Sequence, residues 1–177
     1  IPKNLQLHAG KLRKELGVTS NFVVVAGSTR TGEEKIILNY FKALPIDNVV
    51  LVIVPRHPQR FNEVENLIKL SDLPYVRRSA VRNVNTKVKV ILGDTMGDLY
   101  IYYGLADLVL LGGSLENFGS QNPIEPLRLG KPVAIGPSIY NFMDVIIFYI
   151  LNKFRSLNSF FYSNYRISNI FVCHYRI

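Results

Sequence analysis

Short, purely apolar runs recur along this chain, each stopped by glycine, proline or small polar residues, and they restrict its fold more than any other feature. Residues 22–26 (Phe-Val-Val-Val-Ala) end at Gly27-Ser28 and residues 49–54 at Pro55; residues 88–92 end at Gly93-Asp94, 108–111 at Gly112-Gly113, and 133–135 at Gly136-Pro137. Runs of this length without polar alternation are strands covered on both faces. Residues 75–78 give a further, weaker strand. Between the runs the apolar spacing changes to that of helices: Ile36, Ile37, Tyr40, Phe41 and Leu44 within 33–44, then Phe61, Val64, Leu67, Ile68 and Leu70, followed by stretches 96–105 and 123–129. Strands buried on both faces and separated by helices predict an α/β domain of the Rossmann-like doubly wound class, with helices on each side of a parallel sheet.

At 177 residues with 48% apolar and 19% charged side chains, one packed domain is expected, outside the polar composition of disordered chains. The longest apolar runs, 49–54 and 145–151, fall well short of the roughly 18 residues that cross a bilayer. A single cysteine, Cys173, makes no internal disulfide, which points to a reducing compartment. Together with His8, His57 and His174 it forms no zinc-ligand spacing, so no metal is expected. The chain starts at Ile1 without an initiator methionine and reads as a piece of a longer frame.

The net charge of +8 is unevenly spread. Arg77, Arg78, Arg82, Lys87 and Lys89 follow one another without an intervening acid, a run that is either a solvated edge or a face for an anionic partner. Residues 144–177 form a second basic region, rich in Phe and Tyr and lacking Gly and Pro. A helix can continue over 145–151, but no sustained period is visible from about Ser156. The expected division is therefore a Rossmann-like domain over 1–143 and an atypical aromatic, basic tail over 144–177.

Open parallel sheets bind ligands beyond the carboxyl ends of their strands, so the residues after each run are the candidates. After the first come Gly27, Ser28, Thr29, Arg30, Thr31 and Gly32, with Glu33 and Glu34 opening the helix; free N–H and hydroxyl groups at a helix start suit an anion. Thr31 and Glu34 also have the spacing of a capping box, which needs no ligand. Neither GxGxxG nor GxxxxGK[ST] is present. After the second run, Pro55-Arg56-His57-Pro58 places a phosphate-suited guanidinium and an imidazole on the same rim, or else forms a turn. Asp94 or Thr95 can cap the helix after the 88–92 run, and Gly97 clears space for a base or a backbone contact. The richest segment is 112–126, where a glycine pair and a polar loop lead to Pro123 at a helix start; a phosphate fits the exposed N–H groups and Glu125 can accept from two ribose hydroxyls.

Taken together, the segments GSTRTGEE from Gly27, VPRHP from Val54, GDTMGDL from Gly93, ADLVLLGGS from Ala106, NPIEP from Asn122 and GPSIYNF from Gly136 resemble the C-terminal half of 3-deoxy-D-manno-octulosonic acid (Kdo) transferases over about residues 5–143. The resemblance implies the C-terminal domain of an inverting GT-B glycosyltransferase that moves Kdo from CMP-Kdo to the lipid A precursor in lipopolysaccharide biosynthesis, at the cytoplasmic face of the bacterial inner membrane. It assigns CMP binding to Pro55 and Arg56, to Met96, Gly97 and Asp98, and to Asn122, Pro123, Ile124 and Glu125. Ser28, Thr29, Gly113 and Ser114 are expected as additional donor contacts. CMP-Kdo is then the donor substrate and no cofactor is needed. The lipid A precursor would be the acceptor through an N-terminal half that also carries the general base, so no residue of this chain is expected to be the base and the chain alone is expected to be inactive. An anionic membrane surface is a further possible partner. Residues 143–177 depart from the family's pattern, as a frameshifted or degenerate end would.

Two other readings start from the same residues. A nucleotide-sugar epimerase on the GT-B plan would select uridine over cytidine. A basic, non-enzymatic domain would bind nucleic acid or an anionic membrane surface, but no RNA-stacking aromatic signature accompanies the 77–89 run, so no nucleic acid is expected.

Overall fold

The structure, a computed structural model, describes residues 3–81, 87–156 and 171–173. Its elements, in chain order, are α1 (Leu5–Glu15), β1 (Phe22–Thr29), α2 (Glu33–Ala43), β2 (Val49–Pro55), α3 (Phe61–Leu70), β3 (Tyr75–Arg77), β4 (Val90–Leu92), α4 (Leu99–Leu105), β5 (Leu108–Leu111), α5 (Ile124–Arg128), β6 (Val133–Ile135), α6 (Met143–Ser156) and β7 (Phe171–Cys173). The sheet order is β3-β4-β2-β1-β5-β6-β7; β1 to β6 are mutually parallel and β7 runs antiparallel to β6 at the edge. This is the Rossmann-like α/β architecture expected from the apolar runs.

Each strand feeds two cores because its side chains alternate between faces. Val50 and Val52 of β2 join Val23, Val25, Val109 and Leu111 against Leu12, Leu16, Tyr102, Tyr103, Leu127 and Ile146. Leu51 and Ile53 face the other way, with Val90, Leu92, Ile37, Leu38, Val64 and Ile68. Burying each such side chain contributes about 1.5 to 3 kcal/mol, which is why a run like 49–54, buried throughout, tolerates no polar position.

The chain leaves β1 toward β2 on one side and pairs with β5 on the other. Strand order therefore reverses between β1 and β5, and a crevice opens above their carboxyl ends. Backbones approach closely there: a Cβ on Gly112 would lie 2.2 Å from the Ser28 carbonyl oxygen, and one on Gly136 would lie 2.2 Å from that of Ser114.

Several expectations are corrected. Helix α1 was not predicted, although Leu5, Ala9, Leu12 and Leu16 are all buried at helical spacing. Helix α4 begins at Leu99 and not at residue 96, because Gly97 sits at φ +84, outside helical space, and Asp98 occupies the N-cap position. Strand β4 covers only Val90–Leu92. Pro123 is the N-cap residue of α5, not its first helical residue. Helix α6 extends to Ser156, beyond the expected 145–151, with Ile146 in the core. Strand β7 lies inside the region read as aperiodic, and the rest of the aromatic tail falls outside the described residues. No helix among the described residues is long and apolar enough to cross a membrane.

Because Gly112 is opposed by backbone and not by a flexible side chain, Gly112→Ala should destabilise the domain by about 1 to 3 kcal/mol, the usual range for forced overpacking. Urea denaturation of the two proteins measures it, and an unchanged midpoint would show that β1 and β5 can separate at no cost.

Candidate functional site

The first two residues of α2 determine the shape of the crevice. Glu33 is fully buried, and its carboxylate accepts the N–H groups of Arg30 (2.8 Å), Gly113 (2.7 Å) and Leu115 (2.9 Å). Glu34, also fully buried, accepts the Thr29 hydroxyl at 2.7 Å and a two-pronged contact from Arg60 at 2.7 and 3.0 Å. Arg60 also reaches Glu63; its bond to Glu34 raises its pKa, and the bond to Glu63 adds to that against the effect of burial. Carboxylates at a helix start are favoured by the helix dipole, and buried charges persist when paired and fully hydrogen-bonded. The loops after β1, β2 and β5 are thus tied to one helix end.

This bracing changes the role of several expected contacts. The Thr29 hydroxyl and the Gly113 N–H are already taken by Glu34 and Glu33. Ser114, fully buried, donates to the Leu111 carbonyl and accepts the Gly136 N–H at 2.9 Å. These three residues build the wall of the crevice and do not point polar groups into it. The capping box is also corrected: Gly32 is the N-cap of α2 with no side-chain bond, and Glu34 turns to Arg60. At α5 the Ile124 N–H, expected to face outward, is accepted by Asn122 Oδ1 at 3.0 Å.

Other predicted residues do converge. Tyr103 of α4 is buried beneath the β1 loop, against Gly27, with its hydroxyl bonded to Ser28. Burial pushes its pKa well up; the negative charge of Glu125 pushes it further, while Arg56 and the Ser28 bond oppose this. Arg56 and Glu125 therefore lie within electrostatic reach of one phenol, on opposite loops. Arg56 is held by its N–H to the Thr29 carbonyl at 3.0 Å, and its side chain is exposed. Neither the Arg56 guanidinium nor the half-buried Glu125 carboxylate has a hydrogen bond or ion pair among the described residues. Opposite charges with no partner among the described residues suit a ligand carrying both an anionic group and hydroxyls.

The loop after β4 stands on the neighbouring phenol. Thr95 Oγ1 donates to Asp98 Oδ2 at 2.7 Å and lies 3.0 Å from the Tyr102 hydroxyl, whose pKa is pushed up to about 12 by burial. Met96 is 69% exposed, and a Cβ on Gly97 would meet nothing within 4 Å, so this segment presents an open surface. Asp94, by contrast, is structural: burial raises its pKa, but the Ser79 hydroxyl and N–H and the Arg77 guanidinium outweigh that and hold it below its ordinary value.

Sequence reading placed Arg30 and Phe118 in candidate loops but gave neither a role. The Arg30 guanidinium lies 4.8 Å above the Phe118 ring, and its Nη1 is 3.0 Å from His57 Nε2. The basic run is largely neutralised: Arg77 pairs with Asp94 and Glu65, Arg78 with Glu15, and Lys89 donates to the Ile46 and Asp47 carbonyls; Arg82 lies outside the described residues. No cluster of His, Cys, Asp and Glu among the described residues could hold a metal ion.

No family model matches the chain. It is 43% identical over 123 residues to a 3-deoxy-D-manno-octulosonic acid transferase of Haemophilus influenzae, covering 68% of this chain and 29% of the relative. A transferase of the same name from Bordetella pertussis is 37% identical over 134 residues, covering 72% of this chain and 31% of the relative. Among solved structures, the C-terminal CMP-Kdo binding domain of WaaA from Acinetobacter baumannii superposes with a TM-score of 0.74 at 29% identity, covering 86% of this chain and 80% of that one. The chain belongs to the Kdo transferase family. A bifunctional glycosyltransferase/methyltransferase of Fusobacterium nucleatum is also 42% identical over 147 residues, covering 82% of this chain and 23% of that protein. The chain thus spans between about a quarter and a third of the length of these curated relatives.

Glu33→Gln replaces one of the two acceptor oxygens of this Kdo transferase domain's main brace with an NH2 group, so at least one buried N–H loses its partner. A loss of about 1 to 3 kcal/mol in urea unfolding is expected; wild-type stability in the variant would show that the brace is dispensable.

Proposed function

We propose that this chain is the donor-binding domain of a Kdo transferase, holding CMP-Kdo in the crevice between the β1, β2 and β5 loops. The observation that carries the reading is that Arg56 and Glu125, unpaired among the described residues, stand on loops at the carboxyl edge of the sheet, where strand order reverses between β1 and β5. Arg56, whose planar fork matches phosphate oxygens, takes the CMP phosphate. Glu125, in the first turn of α5, accepts the ribose hydroxyls. Met96 and Gly97 form the open surface for the base, with Asp98 at its margin, while Pro55, Asn122, Pro123 and Ile124 set the loops that carry Arg56 and Glu125.

In the reaction, an acceptor hydroxyl oxygen attacks the anomeric carbon of Kdo, the bond from that carbon to the phosphate oxygen breaks, and CMP departs with the electron pair. Configuration inverts in such a single displacement. Arg56 stabilises charge growing on the departing phosphate, where preorganised donors lower the barrier most. The acceptor proton goes to a base, and the resemblance places that base in the N-terminal half of the longer relatives. On this reading the chain alone binds CMP without transferring Kdo. The full enzyme would glycosylate the lipid A precursor at the cytoplasmic face of the inner membrane, where an anionic surface would meet the basic chain.

Calorimetric titration with CMP tests the donor site. Arg56→Ala should weaken CMP binding by roughly ten- to a hundredfold, the range of a charged hydrogen bond, and Arg56→Lys should recover part of it. Unchanged affinity in the alanine variant would return Arg56 to a turn residue. Wild type should prefer CMP to 2′-deoxy-CMP, and Glu125→Gln should shrink that preference; equal discrimination by both proteins would make Glu125 a helix-start carboxylate and not a ribose ligand.

A further inference from the structure

We propose that Arg30, positioned by His57 and Phe118, receives the carboxylate of the donor sugar, so that the site selects a sugar acid over a neutral sugar. The proposal rests on the donor reading above and adds a recognition element to it.

Arg30 is half-buried on the β1 loop. Its guanidinium is held from two sides, by His57 Nε2 at 3.0 Å and by the Phe118 ring at 4.8 Å. Among the described residues it makes no ion pair, and its Nε and Nη2 groups have no hydrogen-bond partner. Of the acids near this loop, Glu33 takes the Arg30 N–H, Glu34 is paired with Thr29 and Arg60, and Glu116 packs over Gly32; none forms an ion pair with the Arg30 guanidinium. Holding a long cation still against an aromatic face, without a counter-charge, reduces the ordering cost of binding an anion.

The position matches the chemistry of the donor. Ser28 and Arg56 flank the proposed phosphate; Arg30 stands just beyond Ser28 on one loop and His57 just beyond Arg56 on the other. A step of one or two residues along the backbone is about 4 to 7 Å. In CMP-Kdo the carboxylate is bonded directly to the anomeric carbon, three bonds from phosphorus, so a planar donor placed one step past the phosphate site meets it. Arginine's fork donates to both carboxylate oxygens at once, a pair of acceptors that a neutral group at that carbon does not offer.

The test compares CMP-Kdo with its C1 carboxamide, each mixed freshly with the 177-residue chain, beside CMP alone. Wild type should bind the acid about tenfold or more tightly than the amide. In Arg30→Ala that ratio should fall close to one, and in Arg30→Lys it should be intermediate. Thermal melting confirms that the variants fold; the bond from the Arg30 N–H to Glu33 is retained in both. If Arg30→Ala keeps the full preference for the acid, the carboxylate is bound elsewhere and the proposal is wrong. If wild type binds CMP but does not distinguish acid from amide, the donor reading stands and the proposal fails. If wild type binds none of the three, both fail.

Discussion

Two buried carboxylates at the start of α2 hold the carboxyl edge of the sheet in its shape. The loops after β1, β2 and β5 are linked by no disulfide, and each carries backbone N–H groups that would be costly to bury alone. Glu33 satisfies three of these N–H groups across two loops, and Glu34 ties Thr29 to Arg60. Neither buried acid is left without partners: three N–H groups surround Glu33, and the Thr29 hydroxyl and the Arg60 guanidinium reach Glu34. An anion-binding helix end has in effect been filled by the protein's own acids.

The adjacent tyrosines of α4 perform a complementary task from below. Tyr102 supports Thr95 and the β4 loop, and Tyr103 supports Ser28 and the β1 loop. One turn of one helix therefore sets the height of two rims, and the phenols stay protonated because burial opposes their ionisation. The result is a rigid base under Arg56 and Glu125, whose own side chains remain uncommitted.

The sheet was readable from the sequence because fully apolar runs have few other uses, and the positions after each run lie along its carboxyl edge. Helix α1 is carried by only one apolar residue per turn, Leu5, Ala9, Leu12 and Leu16, a pattern too sparse to stand out beside the runs that follow. Boundaries at α4 and α5 depended on Gly97 adopting a positive φ and on Asn122 supplying the cap, neither of which a period reveals. Within the candidate site, Arg56 and Glu125 stood out in the sequence because their motifs sit directly after strands. Thr29, Gly113 and Ser114 were assigned to a ligand because their partners, Glu34, Glu33 and Gly136, come from other segments, and nothing local in the chain announces those bonds. Arg30 and Phe118 lay in candidate loops but received no role for the same reason: they are 88 positions apart and meet only in the fold.

The close backbone approaches at Gly112 and Gly136 have an evolutionary consequence. Beneath the crevice, main chain faces main chain with no side chain between, so substitution has little there to modify. Variation is left to the rim above, to exposed or half-buried side chains such as Arg56, Met96 and Glu125. A scaffold of this kind separates what must stay fixed from what can diverge.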